Sequence, residues 1–348
     1  MLAGLPTSVA SSPRFLAQLA EARRLRADLC DDAAPAASSG ALAAELALDA
    51  PEWAEATEVL RDALTAALSL ERHGLERLHG ALPRFSPREE AHGRVMEAKK
   101  RLLAPLAQLD RPATRQFLAA YHRVVCDVVA PHIAEAFEPG TMGSLHYAAF
   151  PTLRVQTPSL QRATIRPHFD GMYGLQAHSV NLWLPLTEVR PTSGLWCESR
   201  RADATRARGS GARPGAPADA GACDSNDSDD SAYDYHALTR ATRFDGRNTI
   251  HFTVPNRSPR TRVSLDFRVV PGHAFDADER LSRLGYYARA DAVRPGDARS
   301  EFVQAASGRV SVLHGMPHTA AAVELGPPQA RSTPRRAKGP TRARATTG

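Results

Sequence analysis

The sequence predicts an α+β protein: a helical region followed by an all-β unit whose strands enclose a polar site. Three observations carry this. Apolar residues recur at helical spacing through the first 140 residues. After Glu138-Pro139-Gly140 the segments become short, β-branched and alternating, with turn residues between them. The polar faces of those segments use His, Asp, Asn, Trp, Arg and Ser, not the Lys, Glu and Thr of a solvated sheet.

The helical elements come first. Phe15 to Leu29 reads as an amphipathic helix after Ser12-Pro13. A long helix is expected from Pro51 to Leu82, with Leu60, Leu64, Leu68, Leu75 and Leu78 at helical spacing. Another begins near Ser86-Pro87 and carries Val95, Leu102 and Leu103. A further one follows Asp110-Arg111-Pro112, with Leu118, Tyr121, Val125, Val128 and Ile133 on one stripe. His122 and His132 in this stretch read as surface or packing residues. Strands are expected at 144–157, 163–170, 178–187, 194–199, 247–255 and 260–270.

Composition narrows the class. No apolar run reaches the roughly eighteen residues of a membrane helix. The four cysteines (Cys30, Cys126, Cys197, Cys223) lie far apart without a CxxC pair, which fits a reducing compartment and points to the cytoplasm. The first twenty residues lack acid, as an organellar transit segment would, so that reading stays open beside the helical one. Net charge is +6, and the six basic residues of 331–348, with no acid among them, account for all of it. That tail reads as solvated, and it is the only hint of a nucleic-acid partner. The stretch 200–233 has almost no large apolar residue and reads as a disordered insertion. The expected organisation is a helical region at 1–140, a catalytic core at 141–325 and a basic tail at 326–348.

The chemistry starts from His168-x-Asp170. Two residues apart on a strand, both side chains share a face. With His251 they would form a two-histidine, one-carboxylate triad, which leaves positions open on a non-haem Fe(II) ion for a co-substrate and O2. His-x-Asp alone is common by chance; strand parity strengthens it. Thr164, Arg166, His168 and Asp170 share one face, Thr249, His251 and Thr253 another, and Arg262, Ser264, Asp266 and Arg268 a third, each opposed by apolar residues. Asn181 and Trp183 alternate with Leu182, Leu184 and Leu186 in the same way. The polar faces therefore read as the interior of a sandwich or barrel with a ligand in its mouth. A hairpin closing at Pro255-Asn256-Arg257-Ser258-Pro259-Arg260 would set His251 opposite Ser264, with Arg262 on the diagonal about 7–8 Å away. An Arg fork and a Ser hydroxyl there would suit the far carboxylate of a metal-chelated dicarboxylate. Asp266 and Arg268 are expected to pair with each other. His178 flanks the pocket strand, and His314 with His318 is spaced like a metal pair but lacks a carboxylate nearby.

These residues resemble the Fe(II)/2-oxoglutarate-dependent dioxygenases with a double-stranded β-helix (cupin-like) core. The segments PTLRVQTP, HFDGMYG, VNLWLPLT, LWCES, HFTVPNRSPRTRVSLDFRV and LGYY are similar to the streptomycin-biosynthesis-type branch. The likeness spans about 141–290 without the insertion and keeps the motif order; the helical region before 110 carries no motif of the family. It implies that His168, Asp170 and His251 bind Fe(II), and that Arg262 with Ser264 holds the 2-oxoglutarate C5 carboxylate. Asn181, Trp183, Arg154 and Gln156 would line the pocket around co-substrate and O2. Halogenating relatives lack the carboxylate ligand, so Asp170 implies oxygenation, with hydroxylation of a small polar molecule as the default. The rival reading is a cupin-like scaffold that binds a partner and has lost the chemistry.

Overall fold

The computed structural model describes residues 4–29, 45–70, 74–86, 94–137, 141–159, 163–200, 233–293 and 301–304. The insertion, the basic tail, His314 and His318 lie outside the described residues. Helices α1 (Thr7–Ala10), α2 (Pro13–Leu29), α3 (Pro51–Ala67), α4 (Arg94–Leu103), α5 (Pro112–Val124) and α6 (Ala130–Ala134) come first. Proline opens α2, α3 and α5, where its missing N–H would have no partner in any case. In α3, Trp53, Ala56, Leu60 and Leu64 form the buried stripe. This helix stops at Ala67, well short of Leu82. Ser69 takes a left-handed φ of 56°, and the N–H groups of Ser69 and Leu70 fold back onto Ala66 and Thr65. Leu75 and Leu78 are buried all the same. Between α5 and α6 the chain widens into a π turn, Val125–Val129. Pro131 lacks the N–H that would bond to Asp127, which accounts for the broken α ladder.

The strands are β1 (Leu46–Ala47), β2 (Ser144–Ala148), β3 (Thr152–Gln156), β4 (Val180–Pro185), β5 (Leu195–Arg200), β6 (Tyr233–Leu238), β7 (Thr242–Phe244), β8 (His251–Phe252), β9 (Arg262–Pro271), β10 (Tyr287–Ala292) and β11 (Phe302–Gln304). They form two antiparallel sheets. The larger runs β1-β7-β4-β9-β2-β10-β11, with β3 also on β9; the smaller runs β6-β5-β8. Residues Val263, Leu265, Phe267 and Val269 of β9 join Leu60, Leu64, Phe117 and Tyr121 in the main core, so the larger sheet lies against the helices. Each such burial stabilises by about 1.5–3 kcal/mol. The smaller sheet turns Ile250, Phe252 and Val254 outward onto Phe15, Leu19 and Ala22 of α2. The polar face of β9 is left to the space between the sheets.

Several expected elements differ. The 144–157 stretch is two strands, split at Pro151. The 163–170 stretch makes only a single bridge, His168 to His251, before a 3-10 turn at Asp170–Tyr173. Pro167 has no N–H for a continuous ladder. The hairpin that would set His251 opposite Ser264 does not form. β8 pairs with β5, placing His251 opposite Cys197, and β9 belongs to the other sheet. Pro255 and Pro259 cannot carry a ladder, and the Asn256 amide ties the connection to Gln156 O and Arg260 O as it crosses between sheets. β1, β6, β7, β10 and β11 had no sequence-level expectation. No described helix is long and apolar enough to cross a membrane.

Candidate metal centre

His168, Asp170 and His251 are all buried, and their candidate ligand atoms lie within 4.8 Å of one another. His168 and His251 are held by mutual backbone bonds, His251 N to His168 O at 2.8 Å and the reverse at 3.2 Å. Each imidazole donates Nδ1–H to a carbonyl two residues back, Arg166 O and Thr249 O, both at 2.9 Å. A carbonyl only accepts, so the proton sits on Nδ1 and the Nε2 lone pair is free to ligate. Those Nε2 atoms lie 3.6 Å and 3.8 Å from Asp170 Oδ1. These separations are too long for hydrogen bonds and short enough for one ion to bridge.

Asp170 is the test of fit. Its Oδ2 accepts from Asn181 Nδ2 at 2.6 Å and from Arg268 Nε and Nη2 at 2.8 and 2.7 Å. Its Oδ1 is buried with no hydrogen-bond partner. A buried, partnerless carboxylate oxygen is costly unless something else satisfies it. Burial pushes Asp170 toward the neutral acid, but Arg268, the two imidazoles and Asn181 outweigh it and hold the carboxyl below its usual range. Burial, helped by His251, brings His168 down to about 3, and burial also lowers His251. The centre is therefore two neutral imidazoles and one carboxylate, the protonation state that metal ligation requires. Iron fits this donor set.

A second cluster lies along the same two strands. Arg262 is fully buried and donates from Nε to Ser193 O, from Nη1 to Ser264 Oγ and from Nη2 to Gln156 Oε1, each at 2.8 Å. Trp183 Nε1 donates to Ser264 Oγ at 3.0 Å, and its ring lies 5.8 Å from the guanidinium carbon. Burial lowers Arg262 only to about 10, so it is a cation at neutral pH. Three of its five N–H groups are engaged among the described residues, and two remain. Asn181 touches the metal cluster and Trp183 the arginine cluster. They share a face of β4 two residues apart, about 7 Å. On β9 Arg268 reaches the metal cluster and Ser264 the arginine cluster from one face, four residues and about 13 Å apart.

The structure brings His168, Asp170, His251 and Asn181 into one cluster and Arg262, Ser264, Trp183 and Gln156 into another, with Arg154 on the neighbouring β3, though some partners differ. Arg268 does not pair with Asp266. It reaches Asp170, and Asp266 takes Arg154 at 2.8 Å. Partner choice here depends on which segments are adjacent: Asp170 reaches Arg268 from outside β9, and Arg154 reaches Asp266 from the neighbouring β3. His122 and His132 are packing residues, against Tyr147 and Trp53. Three contributors escaped the sequence reading. Ser193 offers only a carbonyl. Gly246 accepts Asp170 N–H at 2.7 Å and sits where a Cβ would lie 2.3 Å from Asn181 Nδ2; the Asp-Gly turn signal marks it only as a turn. Glu198 ion-pairs with Arg26 of α2 and accepts the N–H of Ile250 at 2.8 Å, which fixes the strand entering His251.

No family model matches the chain. The streptomycin biosynthesis protein StrG of Streptomyces griseus is 26% identical over 200 residues, 53% of this chain and 84% of StrG. Among solved structures, the chain is similar to the nickel complex of the non-haem monooxygenase ThoJ, with 14% identity, 68% and 76% of the two chains covered and a TM-score of 0.34. It is also similar to the non-haem α-ketoglutarate-dependent epimerase SnoN from nogalamycin biosynthesis, with 16% identity, 82% and 87% covered and a TM-score of 0.34.

Proposed function

We propose that this protein is an Fe(II)- and 2-oxoglutarate-dependent oxygenase on a cupin-like double-stranded β-helix core. The observation that carries the reading is Asp170 Oδ1, buried and partnerless, facing the free Nε2 lone pairs of two neutral histidines. His168, Asp170 and His251 hold the iron. Arg268 and Asn181 hold the carboxylate by its other oxygen, so that the ligand face cannot rotate away. The unused N–H groups of Arg262, with Ser264, take the distal carboxylate of 2-oxoglutarate, and Gln156 and Trp183 keep the guanidinium and hydroxyl in place.

When bound, iron, 2-oxoglutarate and O2 supply the oxidising power for the substrate, with succinate and CO2 released. The chain's own part is to exclude water, fix the ligands and orient the substrate over an open coordination position. The substrate is a small polar molecule such as a sugar or cyclitol derivative, not a nucleic acid or a membrane lipid. The place of StrG in streptomycin biosynthesis agrees with this reading.

Anaerobic titration with Fe(II) and then 2-oxoglutarate should produce a visible charge-transfer band in the wild type and none in His168→Ala. Adding O2 with candidate sugars and cyclitols should yield succinate in step with product. Retained turnover in folded His168→Ala would overturn the iron assignment. Absence of both metal and 2-oxoglutarate binding would leave the scaffold reading.

A further inference from the structure

We propose that the cavity between the N-terminal helices and the wall leading into His168 binds the phosphate group of a small phosphate ester. The cavity holds about 610 Å³, within the usual size of small-molecule sites. Arg14, Lys99, Arg166 and Arg257 line it, and no Asp or Glu is among its described lining residues. The guanidinium groups of Arg14 and Arg166 have no hydrogen bond or ion pair among the described residues. Arg257 donates from Nη2 to Ser8 Oγ at 2.8 Å, which aims its fork while leaving other donors. Arg260, three residues along the same loop, is neutralised by Glu76 and Glu188, both at 2.9 Å. The two cations of the loop therefore differ: Arg260 is met by carboxylates from other segments, and Arg257 lines the cavity without one.

Cations around a low-dielectric concavity concentrate positive potential within it. Planar guanidinium forks match phosphate oxygens two at a time, and three of them suit a dianion better than a single carboxylate. Phe15, Ile165 and Val254 supply an apolar wall for the rest of the ligand. That wall is held in place, since Thr253 Oγ1 accepts the N–H groups of Thr164 and Ile165 at 2.9 and 2.8 Å. Arg166 and Pro167 lead along the chain into His168, but none of the three candidate metal ligands lines the cavity, and the inference does not depend on iron.

The test is calorimetry on the metal-free full-length protein with phenyl phosphate, and with phenol as the uncharged control. Phenyl phosphate should bind at least about tenfold more tightly than phenol, as expected for hydrogen bonds to a charged group. Arg14→Ala and Arg166→Ala should each weaken phenyl phosphate about tenfold and leave phenol unchanged. Arg240→Ala removes an exposed cation elsewhere, paired with Asp49, and should change neither. Equal affinity for the two probes, no binding, or equal weakening by Arg240→Ala would overturn the site; circular dichroism checks the fold of each variant. Repeating the titration with Fe(II), 2-oxoglutarate and O2 separates the sources. Faster succinate formation identifies the phosphate as part of the oxidised substrate, and an unchanged rate identifies a separate ligand; either result keeps the phosphate site.

Discussion

Arg268 and Asp170 meet between the two sheets with both guanidinium contacts, at 2.8 and 2.7 Å, on the same carboxylate oxygen. An arginine and a carboxylate left to themselves commonly pair fork to fork, one N–H to each oxygen. Here Asn181 also bonds to Oδ2, and Oδ1 is kept for the space between His168 and His251. In the proposed iron site the pair would orient a ligand as well as neutralise a charge.

Arg268→Gln should therefore weaken metal binding about 10–100-fold, the usual effect of removing a group that orients a metal ligand. It also strands a buried carboxylate, so the metal-free protein should lose about 3–5 kcal/mol of stability. Thermal unfolding across an Fe(II) or Co(II) titration measures both. Unchanged metal affinity would contradict the orienting role.

Gly246→Ala should disturb the same oxygen through Asn181. The added Cβ would fall 2.3 Å from Asn181 Nδ2 and force that amide off Asp170. Metal affinity should drop about tenfold, again as an outer-shell effect. Asn181→Ala in the same background should add little further loss, because the two changes break one contact.

Arg262→Gln separates co-substrate from metal. Loss of a charge-assisted fork should raise the 2-oxoglutarate Kd by about 10–100-fold, and the Fe(II) Kd should hardly move. Paired titrations read by the charge-transfer band distinguish the two. Parallel losses of both affinities would place Arg262 in the metal cluster instead.

Acid stability should report on His132. Arg243 Nη1 donates to its Nε2 at 3.2 Å, which needs an unprotonated nitrogen, and burial together with Arg243 lowers the group to about 4. The unfolded chain, near 6.5, then binds more protons than the folded one between those values. Stability should fall as pH drops from about 6.5 to about 4 and level off below. His132→Gln should flatten that part of the unfolding profile by at most about 1.4 kcal/mol per pH unit.

Much of this is legible in the sequence. The alternation of Arg262, Ser264, Asp266 and Arg268 with Val263, Leu265, Phe267 and Val269 states outright which face of β9 meets the helices, because side chains on a strand alternate with a period of two. The same parity put His168, His251, Asn181 and Trp183 on inward faces. Proline marked three of the helix starts. Helix ends were harder: the left-handed turn at Ser69 comes from a residue with no strong preference for it, in the middle of a continuing leucine pattern.

Sequence alone determined the chemical inventory of the site, and with it the polarity of each strand face, since both depend only on residue type and local period. Tertiary structure decided the pairings. Whether His251 stands opposite Ser264 or Cys197, and whether Arg268 takes Asp266 or Asp170, depends on which strands are neighbours and which sheet each joins. Those choices follow from how the chain crosses between the sheets at Pro255–Arg260 and from the burial of whole faces against α2 and the α3–α5 layer. No local pattern encodes a distance across that space, so the three candidate ligands could be proposed from the sequence, while the oxygen left open between them could only be found in the fold.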